Sequence, residues 1–91
     1  MKRFLQKNRE KILQLAYKHG ASDVRVFDNP NPDHQNQIGF LVNLDQGRTL
    51  LDQGGLLMDL QELLNCEVYV FTEKGLKDDY RKRILKQAVV L

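Results

Sequence analysis

A chain of 91 residues has room for one domain and one hydrophobic core, and its 42% hydrophobic and 29% charged residues are typical of a globular protein. The formal net charge of +2 is too small to indicate nucleic-acid binding by itself. The single cysteine, Cys66, excludes an intrachain disulfide and a cysteine zinc site. No stretch has the apolar length of a signal peptide or a membrane span. We therefore expect a cytoplasmic protein.

The first half of the sequence predicts a helix followed by two strands. Apolar residues recur at helical spacing over residues 4–18, and Gly20 is a natural terminator for that helix. Alternation and valine content predict a strand over residues 22–27. Residues 28–36 contain Asn-Pro twice and are not expected to form regular structure, because proline lacks an amide hydrogen and restricts the residue before it. The nearly continuous apolar run over residues 38–44 predicts a buried strand.

The second half predicts a helix, a strand and a last helix. Thr49 is a candidate N-cap for a helix over residues 50–64. A strand is expected over residues 67–72, and a helix from residue 75 or 76 to residue 88. The first two strands fit an antiparallel hairpin, and the intervening helix fits a parallel crossover to the third. We therefore predict an α/β (α+β) fold of order α-β-β-α-β-α, with a small mixed sheet of three or more strands covered by helices.

Three long stretches of the sequence carry a recognisable pattern: KNREKILQLAYKHGASDVRVF, FLVNLDQGRTLLDQGGLLMDLQELLNCEV and VFTEKGLKDDYRKRILKQAV. They resemble the minimal nucleotidyltransferases, which are small stand-alone members of the DNA polymerase beta-like nucleotidyltransferase superfamily. Because the stretches cover nearly the whole chain, the resemblance implies a single nucleotidyltransferase-like domain over residues 1–91.

The resemblance implies that, in the family, a Gly-Ser pair after the first strand holds the nucleotide phosphates. Two aspartates one residue apart on the second strand share one face of the sheet, and a third acidic residue comes from the third strand. These carboxylates bind divalent metal ions, which neutralise the triphosphate and activate the attacking hydroxyl.

This sequence departs from the family pattern at each of those positions. Asp28 and Asn29 replace the Gly-Ser pair, Gln37 and Gly39 replace the two aspartates, and Tyr69 replaces the third acidic residue. An amide, a missing side chain and a neutral phenol are poor substitutes for metal-binding carboxylates. We therefore expect no catalytic residue at these positions, no bound metal or cofactor, and no enzymatic activity by the family's mechanism.

The same region still supplies candidates for binding. The segment from Asn29 to Asp33 places oxygen-bearing side chains at alternate positions, as a calcium loop does, but His34 stands where such a loop needs glycine, which favours a polar turn. Tyr69 either lines a partly apolar concavity beside Gly39 or fills space that metal and nucleotide occupy in relatives. The binding candidates are Asp28, Asn29, Asp33, His34, Gln37 and Tyr69.

Three interpretations of function follow. The first is a degenerate nucleotidyltransferase kept as an antitoxin-like binding module, since the resemblance implies a helical toxin of the HEPN class as the partner. The second is an engineered protein with a rebuilt active-site loop, because the departures gather at one functional cluster. The third is an active nucleotidyltransferase with unorthodox ligands such as Asp28, Asp33 or Glu67. None of the three involves a membrane, and nucleic acid is not an expected partner.

Overall fold

The computed structural model describes residues 3–28 and 38–91. Their elements, in chain order, are α1 (Arg3–Lys7), α2 (Arg9–Lys18), β1 (Ala21–Asp28), β2 (Ile38–Leu44), α3 (Leu50–Leu64), β3 (Val68–Thr72), α4 (Asp78–Gln87) and β4 (Val89–Val90). The predicted first helix is two helices, because the chain turns at Asn8, whose side-chain amide donates to the carbonyl of Phe4 at 2.8 Å.

The strands form one four-stranded mixed sheet of order β3-β2-β1-β4. β1 pairs antiparallel with β2, and β2 pairs parallel with β3. Both pairings agree with the hairpin and the crossover predicted from the sequence. β4 adds a short antiparallel edge beside β1. The α+β class with a mixed sheet is therefore confirmed, whereas β4 was not predicted, because two residues are too few to show a periodicity.

The helices cover both faces of the sheet. α2 and α3 pack on one face, where Ile12, Phe40 and Leu60 are buried in the main core. α4 packs on the other face, where Ile84 meets Leu41 in a smaller cluster. Strand alternation places neighbouring residues of β1 and β2 on opposite faces, so each strand contributes to both clusters. The sheet is therefore buried in its centre, which explains the nearly continuous apolar run of β2.

α3 begins and ends where local side-chain chemistry predicts. The Thr49 hydroxyl accepts from the amide of Leu51 at 3.2 Å, and the Asp52 carboxylate accepts from the amide of Thr49 at 2.9 Å. This reciprocal capping box satisfies amides that the first turn leaves without partners. Asn65 ends the helix in the left-handed conformation, with φ of 52°. The predicted range of residues 50–64 is confirmed.

The end of α2 is attached to α3 by a histidine. His19 Nε2 lies 2.6 Å from Asp59 Oδ2, within hydrogen-bonding distance, and Lys18 Nζ lies 3.8 Å from the same oxygen. A Cβ atom on Gly55 would come within 2.9 Å of the His19 ring, so this glycine makes room for the imidazole. The hydrogen bond from His19 is the main reason that the pKa of Asp59 is lowered. His19 thus acts here as a helix-end residue.

β3 lies at the edge of the sheet, and one of its backbone groups is bonded by a side chain. Gln53 of α3 donates its side-chain amide to the carbonyl of Val70 at 2.7 Å. The carbonyl of Glu67 and the amide of Glu73 bond to β2, and backbone groups alternate in direction along a strand. The Val70 carbonyl therefore points away from β2, and Gln53 covers part of the open edge.

Candidate functional site

One row of residues crosses three strands at the end of the sheet where the family places its chemistry. Phe27 of β1 pairs with Gly39 of β2, and Gly39 pairs with Tyr69 of β3. Directly paired residues share a face, so all three side-chain positions lie on the face that α4 covers. We call this set the site row. It brings together two of the positions that the resemblance identified, Gly39 and Tyr69.

The ring of Phe27 occupies the space over Gly39. A Cβ atom built on Gly39 would lie 2.4 to 2.8 Å from three atoms of that ring, which is closer than real Cβ contacts come. Both residues are buried. The suggested concavity beside Gly39 is therefore filled by Phe27, and an aspartate at residue 39 would need this ring to move.

Tyr69 belongs to a series of aromatic contacts. Its ring centroid lies 6.3 Å from that of Phe71, with 22° between the ring planes. Phe71 in turn lies 5.7 Å from Phe27 and 6.5 Å from Tyr80. These spacings are within the range of favourable aromatic pairs. Tyr69 is half-buried, so the position that is acidic in the family now contributes an aromatic surface.

Asp28 does not join the site row. It is the last residue of β1, is exposed, and pairs with Ile38. Because it follows Phe27 in an extended strand, its side-chain position is on the opposite face, with Val26 and the main core. Asp28 lines a pocket of 390 Å³ together with Leu5 of α1 and with Phe27, the one member of the site row that reaches it. Sequence reasoning grouped Asp28 with Tyr69, whereas the sheet separates them.

The remaining predicted site residues lie outside the described part of the chain. These are Asn29, Asp33, His34 and Gln37, and the predicted irregular loop lies there as well. The geometry of the candidate site is therefore given by β1, β2 and β3.

The described residues do not fit the divalent metal ions that the family implies. Within residues 3–28 and 38–91, no three His, Cys, Asp or Glu side chains come together in a way that could hold a metal ion. In the site row, Gly39 has no side chain and Tyr69 offers a phenol, whereas hard cations prefer several carboxylate oxygens.

Sequence reasoning missed the aromatic neighbours of Tyr69. Tyr69 and Phe71 are two residues apart on one strand, which predicts a shared face, and that signal was available. Phe27 and Tyr80 join them only through strand pairing and the packing of α4, so local spacing does not identify them.

None of the helices in the described ranges has the length and apolar character needed to cross a bilayer.

Comparisons with known proteins identify relatives over nearly the full length. No model of a known protein family matches the sequence. A protein of Methanocaldococcus jannaschii named "Putative protein adenylyltransferase" is 32% identical over 84 residues, which span 89% of this chain and 90% of that protein. A solved structure described as a "putative minimal nucleotidyltransferase" superposes with a TM-score of 0.79 at 35% identity, covering 97% of this chain and 93% of the other.

These matches correct one prediction and confirm another. The expectation that the chain is not an enzyme is wrong, because both similar proteins are named as transferases. That expectation rested on the residues at the family's metal positions and gave them too much weight. The resemblance itself is confirmed by identity above 30% across about nine tenths of both proteins. The chain belongs to the minimal nucleotidyltransferase family.

Proposed function

We propose that this domain binds a nucleoside triphosphate beside Tyr69, the half-buried residue of the site row, and presents it to a partner protein, which is the nucleotidyl acceptor. The observation that carries the proposal is the similarity to a protein named as a protein adenylyltransferase, which spans 89% of this chain. The match to a minimal nucleotidyltransferase structure at a TM-score of 0.79 supports the same class of nucleotide ligand.

The geometry of the site row supports binding of an anionic ligand at this end of the sheet. β1 ends there, and β2 and β3 begin there, so the ends of three neighbouring strands lie side by side. Gly39 is covered by the Phe27 ring and Tyr69 offers a phenol, so neither position places a carboxylate near a phosphate group. The side-chain position of Asp28, which would repel one, is on the opposite face. The Tyr69 hydroxyl is able to donate a hydrogen bond to a phosphate oxygen.

The test measures binding and transfer separately. Isothermal titration calorimetry with ATP, in the presence and absence of magnesium, measures nucleotide binding. We expect Tyr69→Ala to weaken the affinity for ATP. Tyr17→Ala is the matched control, because Tyr17 is 85% exposed on α2, across the sheet from the site row. Wild-type protein that binds no ATP at millimolar concentration contradicts the proposal.

Transfer is read with α-labelled ATP and a co-expressed partner protein. We expect label on the partner in proportion to the amount of domain added, and the metal requirement is measured by adding EDTA. ATP binding without any labelled protein would limit the function to nucleotide binding and reject the acceptor part of the proposal.

A second candidate function is stable association with a HEPN-class toxin, as the family resemblance implies. One observation favours a protein partner of this kind: α3 carries three large apolar residues that are 70% to 87% exposed, namely Leu50, Leu51 and Met58. Apolar clusters of this kind often mark protein interaction sites. Gly54, between them, has open space around it.

The test of this second candidate is co-expression with a HEPN-class protein, followed by size-exclusion chromatography. We expect a stable complex that Leu51→Glu and Met58→Glu disrupt. Lys82→Glu on α4 is the control, because α4 packs on the other face of the sheet. A complex that persists in both α3 variants would contradict the assignment of this surface.

A further inference from the structure

An aromatic surface leads from the site row to the start of α4. It consists of the rings of Phe27, Tyr69, Phe71 and Tyr80, which we call the aromatic ladder. Phe71 is in ring contact with each of the other three rings. Phe27 is 3% exposed, Tyr69 and Phe71 are half-buried, and Tyr80 is 41% exposed. The ladder therefore starts in the protein interior and ends with an aromatic side chain open to solvent.

The open end of the ladder borders a groove at the start of α4. The groove has a volume of 490 Å³, and its apolar lining is formed by Phe71, Leu76 and Tyr80. This volume is within the range of small-molecule pockets. Aromatic rings with an accessible face at the end of a groove are suited to stack a flat heterocycle. We call this feature the α4 groove.

The charges on the rim restrict the chemistry of the ligand. Asp78 and Asp79 line the α4 groove, and Lys77 is the cation beside them. Carboxylates accept hydrogen bonds from an exocyclic amino group, such as those of adenine, guanine and cytosine. The same carboxylates repel phosphate, so a nucleotide would direct its phosphates away from this rim. Phe71, which lines the groove, is in ring contact with Tyr69, so the ladder connects the groove with the half-buried end of the site row.

We propose that the α4 groove binds the base of a nucleotide by stacking against Tyr80 and Phe71, with the phosphates directed along the ladder towards Tyr69. This inference rests on the nucleotide binding proposed above and deepens it, because it assigns base recognition to residues outside the site row. Tyr80 is a binding residue in this assignment and contributes to affinity for the base, while the triphosphate depends on the site row.

The experiment compares ATP with inorganic tripolyphosphate by isothermal titration. We expect Tyr80→Leu to raise the Kd for ATP about 10-fold, as loss of one base–aromatic stack does, and to leave the Kd for tripolyphosphate unchanged. Tyr80→Phe keeps the ring and is expected to stay within about 2-fold of wild type. Tyr17→Leu, on the opposite side of the sheet, is the control for a general effect of losing a tyrosine. Thermal melting establishes that each variant is folded.

Saturation-transfer NMR provides the structural readout. Saturation of the protein is expected to reach the adenine protons of ATP more strongly than the ribose protons, and Tyr80→Leu is expected to remove that difference. Equal ATP affinity in wild type and Tyr80→Leu overturns the groove assignment while the nucleotide-binding proposal stands. Absence of binding of both ATP and tripolyphosphate to the wild type overturns the two proposals together.

Discussion

Gly39 determines how the site row packs, because its missing side chain leaves room for a neighbouring ring. A glycine inside a strand often marks a close approach by another group, so the sequence predicts crowding at this position. The sequence does not say which group approaches. Strand pairing supplies the answer, because it puts the ring of Phe27 directly over Gly39. Single-sequence reasoning could therefore identify the special position but not the ring that fills it.

We expect Gly39→Ala to lower the free energy of unfolding by about 1–3 kcal/mol, because the new methyl group overlaps the Phe27 ring in a buried site. Chemical denaturation measures the change. Gly54→Ala is the matched control: it lies within α3 with open space around it, so we expect it to be neutral or stabilising by up to about 1 kcal/mol. Equal stability of the two variants would show that Phe27 does not constrain residue 39.

Restoring the family's acidic residues is expected to destabilise the metal-free protein. The triple variant Gln37→Asp, Gly39→Asp, Tyr69→Asp adds three carboxylates that repel one another without a cation. It also places a side chain against Phe27 and removes the ring contact between Tyr69 and Phe71. Differential scanning calorimetry in EDTA should give a lower Tm than wild type. An unchanged or higher Tm would contradict this argument.

Among the elements, α3 and α4 differ in how well their limits follow from sequence. The start of α3 was predicted correctly, because its signal is local: Thr49 and Asp52 cap the first turn by themselves. α4 begins at Asp78, two or three residues later than predicted. Its N-cap residue, Lys77, makes no side-chain capping bond, and the preceding turn is closed by Thr72, which accepts from the amide of Gly75.

The junction of α2 with α3 predicts loss of stability in acid. The hydrogen bond from His19 lowers the pKa of Asp59 in the folded protein below its ordinary value of 3.8, and Lys18 adds to this effect. A carboxyl with a lowered folded pKa stabilises the fold above its unfolded pKa. That contribution disappears as the pH falls through the folded value.

We therefore expect the stability difference between wild type and Asp59→Asn to be larger at pH 6 than below pH 4, as measured by urea unfolding at both pH values. Asp45→Asn, in an exposed turn, is the control. A difference between wild type and Asp59→Asn that stays the same at both pH values would contradict the role of the charge.

For the whole molecule, the sheet order could be predicted in part. The hairpin of β1 and β2 and the parallel crossover to β3 follow from element order and connection length. The fourth strand does not, since β4 is recognised only by its pairing with β1. The residue after it, Leu91, is buried in the main core, its amide donates to the carbonyl of Val24 at 3.1 Å, and its carbonyl accepts from Arg9 at 2.8 Å.

We expect Leu91→Ala to cost about 2–3 kcal/mol of unfolding free energy, since it removes a buried side chain from the core between α2 and β1. Val90→Ala is the control, because Val90 is 74% exposed, and it should change stability by no more than about 0.5 kcal/mol. Equilibrium denaturation distinguishes the two. Equal stability of the variants would mean that Leu91 does not join the core in solution.

The side-chain amide of Gln53 has a consequence for behaviour at high concentration. The Gln53 amide donates to the outward-pointing carbonyl of Val70. That carbonyl is therefore already bonded when a strand of a neighbouring molecule approaches the edge. We therefore expect this glutamine, supplied by a helix, to hinder the addition of a second copy along that edge of the sheet.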